Sequence, residues 1–224
     1  MREEINKLKA KVQNLEYNQA MIESKLEVSN HISDVLRAQL DDMQQYSRRN
    51  CLIIENVPHE VGEKIQDIEE KTNKILQDKL KFSENNITNE FDKAHRLGKN
   101  EPGNPAPVIV RFKSHSFRAK VFNKRKELKK DGDKSIKIKV CLTKERKKLL
   151  NVSKTKLEGN EKVHFVYANI NGDIKVRLHH KVNNKNVYDI KNNKDIEEIM
   201  IKLDDSKGSI DERMGLNISD DDEL

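Results

Sequence analysis

The stretch SRRNCLIIENVP, residues 47–58, is where two hydrophobic periods meet. Upstream of it apolar residues recur about every three and a half positions, the spacing of a helix that seeks a partner. Residues 51–57 instead form a short β-prone apolar run closed by Val57-Pro58. A helical stalk ends here and a globular part begins, with Arg48 and Arg49 at the joint.

Working upstream, Ile5 at heptad position a sets a register that holds to residue 43. Ile5, Val12, Leu26 and Leu40 fill a, Leu8, Leu15, Ile22, Leu36 and Met43 fill d, and Gln19, Ser29 and Ser33 interrupt the seam. A strict seven-residue repeat underwinds an α-helix into a left-handed supercoil, because only then does the apolar stripe keep facing a neighbouring helix. In a parallel pairing Glu4 at g meets Lys9 at e, and Lys11 meets Glu16, both attractive. Residues 1–46 are therefore expected to form a parallel coiled coil, making the chain a homo-oligomer, dimer or trimer, through the nine apolar a and d residues. An amphipathic helix folded back on its own domain is the competing structure, and the narrow stripe speaks against it.

Downstream the periods alternate. Residues 51–57 read as a strand, 65–80 as a helix with Ile65, Ile68, Thr72, Ile75, Leu76 and Leu80 on one face, and 90–97 as a weak strand. PVIVRF, residues 107–112, is a strong strand. Residues 116–130 are a basic helix with Phe117, Val121, Phe122 and Leu128 inward, and 136–140 a last alternating strand. This βαββαβ order predicts a ferredoxin-like, RNA-recognition-like domain over 50–140: a four-stranded antiparallel sheet with both helices on one face and the other face free. Sheets of that kind bind RNA by stacking bases on aromatics. Here Ile53 stands in the first strand and Phe112 is the one aromatic of the third, so binding is expected to rest on phosphate contacts.

Residues 141–203 predict a small α+β domain. Thr143 caps a basic helix, a hairpin turns at Asn171-Gly172, a strand forms near 187–190 and a short helix over 195–203. Lys175, Arg177, His179, His180 and Lys181 gather near one of its strands. Residues 204–224 are acidic and poor in aromatics, and disorder is expected there. The fold class is thus α+β throughout the globular part.

Charge is distributed unevenly along the chain. Residues 1–45 carry six basic and eight acidic side chains and 204–224 carry two and eight, leaving 36 basic against 22 acidic between them. Most of the excess lies in residues 111–162, with 19 basic and 6 acidic. Such a field draws phosphate, in nucleic acid or at an anionic membrane surface, and the acidic flanks argue against a uniformly solubilising role. The acidic end beside it is placed to compete with nucleic acid.

Cys51 and Cys141 are the two cysteines, without the spacing of a zinc or redox site, and read as buried thiols. No phosphate-binding glycine loop, HExxH or Cys/His cluster occurs, and the seven histidines are scattered. No enzymatic activity, cofactor or metal is expected. The N-terminus lacks an apolar signal core and no apolar run spans a bilayer, so no transmembrane segment is expected and the chain is placed inside the cell, in the cytoplasm and with access to the nucleus.

SRRNCLIIENVP after a heptad helix, then FDKAHRLG, PVIVRF with a basic helix, CLTKERKKLL and NGDIKVR in that order resemble the few-polyhedra protein family of insect baculoviruses and its relatives in insect genomes. The series is also similar to the first-open-reading-frame proteins of LINE-type retrotransposons. The resemblance covers residues 45–203. It implies a self-associating nucleic-acid-binding protein without enzymatic activity, with Arg48, Arg49, Arg96 and Arg111 in motifs linked to RNA binding and particle assembly. On the viral side it implies links to nucleocapsid envelopment, occlusion and traffic of envelope proteins, viral or host.

The function expected is an oligomer that offers its basic modules to single-stranded nucleic acid, RNA or DNA. The residues expected to contact phosphate are Arg48, Arg49, Arg96, Arg111, Arg118, Lys120, Arg125, Lys144, Arg146 and Lys148. His95 is the histidine best placed to join them. The alternative is a coiled-coil protein-interaction adaptor without a direct nucleic-acid role.

Overall fold

The computed structural model describes residues 1–101, 104–130, 136–182 and 185–214. The heptad segment is one helix, α1 (Arg2–Ser47), and Met1–Gln44 form a unit by themselves. Nothing within that unit covers the stripe: Leu8 and Ile22 are each 62% exposed and Leu26 58%. Met21, Val28, Ile32 and Val35 are exposed as well, a second apolar line at the c and g positions. A long helix with an uncovered heptad seam fits a coiled coil.

The second unit begins at Gln45. Its elements are β1 (Cys51–Glu55), α2 (Ile65–Lys74) prolonged by a π-helical turn (Ile75–Lys79), α3 (Glu84–Glu90), β2 (Phe91–Arg96), β3 (Val108–Phe112), α4 (His115–Lys130) and β4 (Lys137–Val140). There follow α5 (Lys144–Leu157), β5 (Val163–Ala168), β6 (Ile174–Val182), β7 (Lys185–Ile190) and α6 (Asn193–Met214). The class is mixed α+β with two antiparallel sheets.

The first sheet has the order β2-β3-β1-β4, every pair antiparallel. Strand side chains alternate between faces, and Leu52, Ile54, Ala94, Val108, Val110, Phe112, Ile138 and Val140 all turn to one. There they bury Ile68, Leu76 and Leu80 from the α2 segment and Phe117, Val121, Phe122 and Leu128 from α4. Leu52 lies opposite both Val110 and Val140, so a one-residue slip would turn the whole apolar set to solvent.

The expected single helix over 65–80 is instead α2 and a π turn, closed by the Leu80 amide donating to the Ile75 carbonyl at 3.3 Å. Ile75 and Leu76 lie within that turn and Leu80 closes it, and all three reach the core. Ile65, expected on the inward face, is 63% exposed. α3 has no counterpart in the sequence expectation; Ser83 caps it by accepting from the Asn86 amide.

The second sheet, β5-β6-β7, is also antiparallel. Val163, Val166, Ile174, Val176, Leu178 and Ile190 turn to a separate core closed by Leu157 of α5 and Ile196, Ile199 and Leu203 of α6. Thr143 caps α5 by accepting from the Arg146 amide at 3.2 Å, and the hairpin turns at Gly172 with φ 91. Leu142 packs against both cores, so the segments 50–140 and 141–203 are two cores of one unit. Disorder is expected from residue 204; α6, anchored in the second core at Ile196 and Leu203, has its end at Met214. Residues 215–224 lie outside the described residues.

Candidate nucleic-acid interface

The alternation that buries Leu52 and Val110 sends their neighbours to the other side of the first sheet. The register aligns Lys93, Arg111 and Cys51 in one row, His95, Ile109, Ile53 and Lys139 in the next, and Glu55 with Lys137 in a third. Lys93, His95, Arg111, Lys137 and Lys139 are exposed, Ile53 and Ile109 half-buried. Four cations therefore share a face whose centre is aliphatic. The one carboxylate in these rows, Glu55, holds the Lys139 ammonium at 2.6 Å. Arg111 reaches Asp92 at 3.2 Å but stays 65% exposed, an ion pair weak enough to exchange for phosphate. Phe112 points into the core, so His95 is the one ring in these rows and no Phe, Tyr or Trp stands in them.

The ten expected phosphate contacts divide by geometry. Arg111, Lys120, Lys144 and Lys148 are exposed, and Arg49 is exposed with its guanidinium 3.9 Å from the Tyr46 ring centroid. Arg111 belongs to the sheet face, Lys120 to α4 on the opposite side of that sheet, and Lys144 and Lys148 to α5. Arg48 is half-buried and donates to the Leu142 carbonyl at 3.4 Å. Arg146 is 15% exposed, donating to the Gly172 carbonyl and pairing with Asp173, both at 3.3 Å. Arg125 lies 3.5 Å over the Phe122 ring and donates to the Phe122 carbonyl, and burial lowers its pKa.

Arg96 and Arg118 sit inside the fold. Arg96 spends its donors on Glu63 (2.9 and 3.1 Å) and on the carbonyls of Val57, Ala106 and Pro58 (2.8, 2.9 and 2.7 Å). A guanidinium has five N–H groups, so none is left for a phosphate. The hydrogen bond from Arg96 holds the Glu63 carboxyl down at about 2, with Lys71 and His59 adding to the effect. Arg118 is 1% exposed and donates to the Cys51 and Ile170 carbonyls at 3.4 and 2.6 Å. Burial pulls it down to about 10, so it remains a cation at neutral pH, tying the start of β1 to the β5–β6 hairpin.

Cys51 and Cys141 are both buried, at the end of the β1–β4 pair. Burial first, then the neighbouring Cys141, pushes the Cys51 thiol up, away from reactive thiolate. Among the described residues no group of three or more His, Cys, Asp or Glu is placed to hold a metal ion, and no helix is long and apolar enough to cross a membrane.

Lys93, Lys137 and Lys139 were missing from the expected contacts, although the signal was present. In KIKV, residues 137–140, the inward Ile138 and Val140 fix both lysines outward, and in DKAH Ala94 does the same for Lys93 and His95. No protein-family model matches the chain, and no curated protein matches it.

Proposed function

We propose that this is a self-associating, non-enzymatic protein that binds single-stranded nucleic acid through phosphate contacts, with the open face of the first sheet as its main surface. The observation that carries the function is the set Lys93, Arg111, Lys137 and Lys139 on one sheet face, in rows without a Phe, Tyr or Trp ring. Four cations on a rigid sheet meet a phosphate chain electrostatically and read little sequence. The β2-β3-β1-β4 order with the helices on one face is the arrangement of a ferredoxin-like, RNA-recognition-like domain, which we assign to residues 50–140. Self-association through the α1 seam multiplies the modules, and linked modules bind at high effective concentration. The resemblance to few-polyhedra proteins and LINE-type first-frame proteins is in keeping with this function.

Arg96 and Arg118 do not belong to the surface; they build the fold that presents it. The adaptor alternative draws on the second apolar line, Met21, Val28, Ile32 and Val35, which a coiled coil using the a and d positions does not need.

Titration of the purified chain with a fluorescent single-stranded RNA of about 30 nucleotides, over a range of salt, tests the function. A steep fall of affinity with salt is expected. No binding at low salt would favour the adaptor.

A further inference from the structure

The second sheet has an open face of its own, opposite the face that α5 and α6 cover. β5 carries Phe165 and Tyr167 two residues apart, hence on the same side, and their ring centroids lie 5.1 Å apart at an interplanar angle of 56°. Neither ring joins the apolar core. Opposite them on β6 are Arg177, paired with Phe165, and Lys175, paired with Tyr167. The Arg177 guanidinium lies 5.8 Å from the Phe165 ring centroid and is exposed, with no hydrogen bond or ion pair among the described residues. Lys175 is held by Asp189 of β7, which raises its pKa. His164 and His179 extend the surface, their rings 4.7 Å apart and His164 4.7 Å from Phe165.

Phe and Tyr rings interleaved with cations on one sheet are what the open face of the first sheet lacks. We propose that this face is a base-stacking platform for single-stranded nucleic acid, with Phe165 and Tyr167 receiving bases and Arg177 taking a phosphate or stacking beside them. This rests on the nucleic-acid function proposed above and adds a division of labour: the first sheet holds phosphate, the second holds bases. Charge selects the occupant. The carboxylates nearest Lys175, Asp189 and Asp173, are already engaged, by Lys175 itself and by Arg146, so the surface suits a polyanion with exposed π-faces better than an acidic or apolar peptide.

The test uses the full chain and two oligonucleotides of equal length, one of uridines and one with the same backbone but no bases. Wild type is expected to bind the uridine strand more tightly, and Phe165→Leu with Tyr167→Leu to remove most of that preference. The expected loss is about tenfold per ring, with the salt slope and the affinity for the baseless strand unchanged. As a readout independent of the variants, a photoreactive uridine strand is expected to crosslink to wild type at Phe165 or Tyr167. Equal affinity of wild type for the two strands, or a preference kept in the variant together with crosslinks elsewhere, overturns the platform while leaving the phosphate function intact. Failure of wild type to bind either strand at low salt overturns both.

Discussion

The Gln45 carboxamide occupies the space a side chain at Gly172 would need. Its Nε2 lies 2.5 Å from where a Cβ on Gly172 would stand. That amide is not free to move, because it donates to the Cys141 carbonyl at 3.1 Å and accepts from the Thr143 amide at 3.0 Å. One residue at the end of α1 thereby fixes the β4–α5 connection and the β5–β6 hairpin together. Gly172→Ala combines a φ of 91 with this collision, and a loss of about 2 kcal/mol is expected in denaturant unfolding. In a Gln45→Ala background the same substitution is expected to cost less, since the opposing amide is gone; equal costs in both backgrounds would separate the two residues.

Glu63 makes stability depend on acid. Its carboxyl is depressed from 4.5 to about 2 in the folded state, so its contribution is fully present above the unfolded value and lost as pH falls from about 4.5 through about 2. For a side chain 2% exposed the shift corresponds to something on the order of 3 kcal/mol. Urea unfolding at pH 7 and pH 3 is expected to show about 2 kcal/mol of that loss in wild type, the rest following below pH 3, and Glu63→Gln to flatten this part of the pH dependence while lowering stability at pH 7.

Arg118 and Arg111 are both arginines of the basic segment and are predicted to behave differently. Arg118→Met leaves the salt slope of nucleic-acid binding unchanged, because its guanidinium is buried against the Cys51 and Ile170 carbonyls. Arg111→Met lowers the slope by about 0.7, the value for one phosphate contact on a single strand. Equal effects on the slope would place both at the interface.

Leu15, Ile22 and Leu26 replaced by Asp should yield a monomer in sedimentation equilibrium, since each is more than half exposed on α1 and has nothing else to pack against within its unit. Affinity for a long single strand is expected to fall about a hundredfold with the loss of linked modules. An unchanged oligomer would remove the seam from the account.

Much of the first core was legible because its strands alternate cleanly. Residues 51–57, 107–112 and 136–140 declare both their period and their inward side, and Phe117, Val121, Phe122 and Leu128 keep helical spacing. α3 was not legible: NNITN between Glu84 and Glu90 has weak helix propensity, and packing of Ile87 decides it. Arg96, Arg118 and Arg125 read as surface cations only when charge is taken without direction. Arg96 shares a face with inward Ala94 by the period of two, and Arg118 and Arg125 fall three or four residues from Val121 and Phe122, on the buried stripe. The partners that neutralise or solvate them, Glu63 and the Ile170 carbonyl, are 33 and 52 residues away and leave no local trace.

The most direct measurement compares wild type with Lys93→Gln, Arg111→Gln and Lys137→Gln combined, following single-stranded RNA affinity against salt. Three outward side chains of one sheet face are removed without touching either core, so folding is expected to persist and the slope of log affinity against log salt to become shallower by about 2. A variant that folds as wild type and keeps the wild-type slope would contradict the assignment of this face as the phosphate-binding surface.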